Sequence, residues 1–200
     1  MIAFVEAAGW PIYFLLLASV VALWLIADRL MFLHGKHIAP AGLLEQAIQG
    51  YKQDGASDAL LSRLGASPLG RVLAAGLKNA NATPEVMKEA VEEAGRTVAH
   101  ELERFLTTIG TIATVSPLLG LFGTVIGMIE IFGSETGAGN TPAVLAHGIS
   151  VALYNTAYGL IVAIPSMIAY SHFRAKVDSL VIEMEQQAVK LVEMVHGARR

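Results

Sequence analysis

Apolar residues fall along this chain in two patterns. In three stretches they run almost without interruption, and elsewhere they recur every three or four positions. The uninterrupted stretches are Trp10 to Ala27, Phe105 to Phe132 and Ala143 to Tyr170. The first has 18 residues. As a helix rising 1.5 Å per residue it measures about 27 Å, close to the hydrocarbon thickness of a bilayer. The second carries no charge before Glu130, and the third holds no Asp, Glu, Lys or Arg. Each is long enough to cross a membrane with some tilt. A cleaved leader would need positive charge before its apolar run and a small-residue cleavage site after it. Only Glu6 precedes the first stretch and Asp28-Arg29-Leu30 follows, so it is expected to be retained.

The periodic pattern occupies the rest. Ser67-Pro68 and Thr83-Pro84 each offer an N-cap followed by proline at the first helical position. From there Met87, Val91, Ala94, Val98, Leu102, Phe105 and Ile109 fall on one helix face that continues into the second span. Val177, Val181, Met184, Ala188, Leu191 and Val195 repeat the device in the tail. Both stripes suit packing within one chain, and both suit neighbouring subunits packing their helices together. The pattern predicts an all-α polytopic membrane protein with three transmembrane helices, the second and third extended into the cytoplasm as long helices. Its segments are 1–33, the N-terminal flank and first span, and 34–104, a cytoplasmic helical domain. Residues 105–170 hold two spans joined by a short loop at 133–142, and 171–200 form a helical tail.

Composition agrees. The chain is 54% hydrophobic and 16% charged, where soluble domains carry about 25% charge. So small a chain has too little interior to hide that excess. A net charge of −3 gives no reason to expect nucleic acid as a partner. The absence of Cys excludes disulfides, thiolate metal sites and thiol nucleophiles. All 14 Lys and Arg lie in 28–104 or beyond 170. The positive-inside rule then places those segments in the cytoplasm and the N terminus outside. Trp10, Tyr13 and Trp24 fit an aromatic belt at the ends of the first span.

Candidate chemistry lies inside the second and third spans. The glycine-rich run from Pro117 to Gly127 fails as a phosphate loop, because no Gly-Lys-Ser/Thr follows it. In a membrane helix, Gly120, Gly123 and Gly127 let another backbone approach closely. Ala152, Thr156, Gly159 and Ala163 form a matching face in the third span, and such faces also favour a homo-oligomer. Thr124 lies about 12 Å from its outer helix end and Thr156 about 20 Å from its own, at 1.5 Å per residue. A threonine in a membrane helix ordinarily bonds its own backbone, but depth and a small-residue face make both candidates for an ion path. Asn155 and Thr156 are the strongly polar side chains at that depth in the third span. Glu130 and His147 sit near the outer ends, where they can simply reach headgroups or can gather cations at a mouth. His34 and His37 are a helical turn apart with no third ligand nearby, so no metal site is expected. No nucleophile–base arrangement points to an enzyme, and no cofactor is expected.

Three spans, a large loop after the first, Gly120-Leu-Phe-Gly-Thr-Val125, and Gly148-Ile-Ser-Val-Ala-Leu-Tyr-Asn-Thr-Ala-Tyr-Gly-Leu160 with Ala163-Ile-Pro165 resemble the MotA/TolQ/ExbB proton-channel family. The likeness is greatest to its ExbB and TolQ members, and to ExbB before TolQ. The resemblance implies an inner-membrane subunit that uses the proton motive force to energise TonB-dependent outer-membrane transport. It implies a homopentamer around a dimer of single-span partners of ExbD or TolR type, whose Asp carries protons, acting on a TonB-like protein. It implies that Thr124 and Thr156 face the pore near that Asp. ExbB and TolQ commonly have Glu where this chain has Val151, so here the partner would supply all of the mid-pore carboxylate. Other expectations are a TolQ-like part in the Tol-Pal envelope system, a MotA-like ion-driven stator and, more remotely, a non-conducting membrane scaffold.

Overall fold

The computed structural model describes the backbone of residues 10–33, 35–133 and 142–197. Within these it describes every side chain except those of residues 35–36, 130–131, 142–145, 147–148 and 151. The described residues contain helices only: α1 (Pro11–Phe32), α2 (Gly35–Ile38), α3 (Leu43–Asp54), α4 (Asp58–Leu64), α5 (Pro68–Lys78), α6 (Pro84–Glu103), α7 (Leu106–Gly133) and α8 (Pro142–Gly197). Three helical stretches are long and apolar enough to cross a membrane, as expected: Pro11–Phe32, Pro84–Ile129 and Ala152–Gly197, with mean hydropathies of 2.0, 1.9 and 1.4. The chain divides into two compact units, one of Met1–Asp28 and Phe105–His172, the other of Arg29–Arg104 and Phe173–Arg200.

In the first unit α1 has a proline at its first position, where the missing N–H costs nothing. It runs antiparallel to α7. The Trp10 ring meets Phe122 at 6.1 Å and the Trp24 ring meets Phe105 at 6.4 Å, so the start of one helix lies by the end of the other. Ile12, Leu15, Ala22 and Leu25 form the buried stripe of α1, while Leu17, Val20 and Leu23 point outward.

In the second unit the capping signals hold. The Ser67 hydroxyl accepts from the Gly70 N–H at 3.1 Å, and the Thr83 hydroxyl accepts from the Val86 N–H at 3.5 Å, with Pro68 and Pro84 opening their helices. Ser57 caps α4 in the same way, accepting from the Leu60 N–H at 3.4 Å. The two periodic stripes are spent inside the chain. Met87, Val91, Val98 and Leu102 of α6 are buried, as are Val177, Met184, Ala188, Leu191 and Val195 of α8. They meet at Gly76 of α5, where a Cβ would lie 2.9 Å from Val91, 3.1 Å from Leu191 and 3.3 Å from Met87. The stripes thus pack within the chain. Arg71 of α5 grips the Glu101 carboxylate with both guanidinium branches, one at 3.0 Å. This hydrogen bonding holds Glu101 below the usual carboxylate range and raises Arg71 above its ordinary value. Glu85, in the first turn of α6, is also held low, first by its own backbone N–H and then by Thr83.

The continuous stripe had suggested one helix from Pro84 through the second span. The extension is present, with Leu102 and Ile109 both buried, but the backbone breaks between α6 and α7. Arg104 leaves the helix at φ −51°, ψ 137°, and Phe105 takes φ +65°. Among the described residues it is the one non-glycine with positive φ, a conformation costing about 1–2 kcal/mol for an L residue.

Candidate functional site: the crossing of α7 and α8

The glycines expected to admit another backbone admit one from the same chain. A Cβ on Gly120 would lie 2.7 Å from the Asn155 carbonyl oxygen and 3.0 Å from the Thr156 Cα. On Gly159 it would lie 2.6 Å from the Ser116 carbonyl oxygen and 3.1 Å from the Gly120 Cα. On Gly123 it would meet Asn155 Cβ and Cγ at 2.8 Å, and on Gly127 the Ala152 Cβ at 3.2 Å. All four lie along one antiparallel seam, where backbones approach closer than any side chain would permit. The small-residue faces are thereby used within the chain.

The polar residues sit around this seam. Asn155 is only 1% exposed and is pressed against Gly123. It belongs to the crossing, rather than to an outward face beside Thr156. Thr156 follows it, half-buried, with its Cα against Gly120. Thr124, also half-buried, lies between Gly123 and Gly127, and its hydroxyl donates to the Leu121 carbonyl at 2.6 Å. That is the ordinary backbone bond of a helical threonine. Thr124 also edges an open depression with Val125, Met128, Ile129 and Phe132. The side chains of Glu130, His147 and Val151 lie outside the described residues, and so does His34. His37 is exposed. Among the described residues no three potential ligands gather around a metal position.

Two features escaped the sequence reading. Tyr170 lays its ring against Gly110, whose Cβ would lie 3.1 Å from it, so the seam continues below the motif glycines. In addition, Thr107, Thr108, Thr111 and Thr114 are all exposed on α7. Their spacing of one, three and three is legible in the sequence, directly before the glycines.

A helical chain with three apolar stretches long enough to cross a membrane, the second and third locked through a glycine seam, is a multi-pass membrane protein. The profile of the MotA/TolQ/ExbB proton channel family matches residues 65–186, more than half of the chain. The chain is 34% identical over 162 residues to a biopolymer transport protein named ExbB-like 3 of Synechocystis sp., covering 78% of this chain and 77% of that one. It is 46% identical over 70 residues to biopolymer transport protein exbB1 of Vibrio cholerae, 34% of this chain and 31% of the relative. It is 40% identical over 103 residues to the Tol-Pal system protein TolQ of Pseudomonas aeruginosa, 49% of this chain and 45% of that protein. The chain belongs to the MotA/TolQ/ExbB proton-channel family, and its likeness runs to ExbB.

Proposed function

We propose that the chain is the ring-forming subunit of an energising complex in the bacterial inner membrane, with its N terminus periplasmic and its C terminus cytoplasmic. Five copies surround a dimer of single-span partners of ExbD or TolR type, and proton flow through the complex drives a TonB-like protein. The observation that carries this reading is the seam with Thr156 beside it, in a member of a proton-channel family. A hydroxyl at that depth both donates and accepts, so it can serve a neutral carboxyl or a carboxylate. It thereby lowers the cost of charging a partner Asp away from bulk water. Val151 brings no carboxylate, so the proton carrier comes from the partner. Thr124 completes the lining, Asn155 fixes the helix that bears Thr156, and Glu130 and His147 stand at the outer mouth.

Thr156→Val keeps the shape and removes the hydroxyl. A hydrogen bond to a charged group contributes about 1.5–3 kcal/mol, so proton-coupled function should fall about ten- to a hundredfold. Thr156→Ser should retain most of it. The readout is siderophore-dependent growth, with oligomeric state checked in parallel. The likeness to TolQ supports a second reading within the Tol-Pal system, for which the readout is sensitivity to detergents and bile salts. Full function of Thr156→Val in both assays, with normal expression, would show the hydroxyl to be structural and remove Thr156 from the proton path.

A further inference from the structure

The exposed face of α7 changes character along its length. Its upper part presents Leu118, Leu121, Val125, Ile129 and Phe132. Its lower part presents Thr107, Thr108, Thr111 and Thr114. Thr107, Thr111 and Thr114 step by four and three and so share one line along the helix, with Thr108 one position round it. The Thr111 hydroxyl donates to the Thr107 carbonyl at 2.9 Å, and that of Thr114 to the Gly110 carbonyl at 3.1 Å. A hydroxyl has one proton and two lone pairs, so both oxygens still accept from whatever lies outside the helix. Thr107 and Thr108 follow directly on the backbone break. Arg104, at ψ 137°, has left the helix there, and the helical turn that the other two use is missing beneath them. Hydrocarbon offers nothing to these groups, and water satisfies all of them.

We infer that this face of α7 lines a water-filled vestibule, open at the Arg104 end, through which hydrated protons pass between the aqueous phase and the level of Thr114, on the way to the Thr124–Thr156 region. This rests on the proton-channel reading above. The hydroxyl row from Thr107 to Thr114 carries water about 10 Å along the helix, and about 15 Å more of helix separates Thr114 from Thr124. Above the row, Leu118 and Leu121 make the face apolar. Where such a face lines a narrow passage, the passage sheds water. It prevents an open leak, so protons cross that interval only when a carrier group accepts them.

The chain has no cysteine, so single cysteines report on water directly. Thr107→Cys, Thr111→Cys, Thr114→Cys, Leu118→Cys and the outward-facing control Leu17→Cys are treated with a charged, impermeant methanethiosulfonate in inverted membrane vesicles. The three threonine positions should react, more slowly with depth, and Leu118→Cys and Leu17→Cys should not. Threonine positions as inert as Leu17→Cys, or joined between copies as disulfides under oxidant, would overturn the vestibule. The Thr111→Val/Thr114→Val double variant should lower proton-coupled growth at least tenfold with the oligomer intact, and Thr111→Ser/Thr114→Ser should not. Unchanged growth of the valine pair would overturn the proton path. Thiol reactivity does not depend on the chain being a motor subunit. An inert face with a damaged Thr156→Val removes the vestibule alone, whereas labelled threonines with a silent Thr156→Val keep the vestibule and remove Thr156 from the proton path.

Discussion

Gly123 and Asn155 occupy one space, and neither can grow without the other yielding. A methyl on Gly123 would stand 2.8 Å from both Cβ and Cγ of Asn155. Gly123→Ala should therefore cost about 1–3 kcal/mol, the usual penalty of overpacking. Asn155→Ala in the same chain should recover part of that loss, because Cγ and Nδ2 disappear while the Cβ contact remains. Thermal melting of the solubilised protein in a double-mutant cycle checks the coupling. At this scale the sequence was partly readable. Glycines at positions 120, 123 and 127 announced a close approach, since only a missing side chain permits one. They could not announce the partner, because backbone proximity within a chain and between chains has the same signature. For the same reason Asn155 read as a polar group at depth, whereas it serves as the wedge of the seam.

At the scale of the helix, the joint between α6 and α7 inverts a familiar order. In a helix interior glycine is worse than alanine by about 1 kcal/mol. Phe105 stands outside that rule, at φ +65°. Both Phe105→Ala and Phe105→Gly lose the contact with Trp24, but only glycine relieves the left-handed backbone. Phe105→Gly should be the more stable of the two by about 1 kcal/mol. Chemical denaturation of the two variants decides, and the opposite order would mean that the joint is helical in solution. The break was invisible in the sequence because Arg104-Phe105 contains neither glycine nor proline, and the apolar stripe passes straight through it. The caps at Ser67 and Thr83 were visible because each pairs a hydroxyl with a following proline, a local signal that needs no tertiary information.

For the molecule as a whole, the one-sided placement of Lys and Arg sets the orientation to be tested. The exposed Ala56, beside the Ser57 N-cap, serves as the labelling site inside. In intact spheroplasts an impermeant thiol reagent should label Thr136→Cys and leave Ala56→Cys untouched, and the reverse would invert the topology. Native mass spectrometry should show five copies, and a monomer at every concentration would remove the motor. The division of the chain also bears on its birth. The two units are interleaved along the sequence: the second begins at Arg29, is interrupted after Arg104, and is completed only from Phe173 onward. Val177, Met184, Leu191 and Val195 fill a core whose other walls, α5 and α6, leave the ribosome long before them. Until the residues beyond Phe173 are made, Met87 and Val91 have no Leu191 to close over them. A nascent chain stalled near His172 would carry the first unit whole and the second open, so limited proteolysis of such a stalled chain should cut within Arg29–Arg104 and spare Phe105–His172.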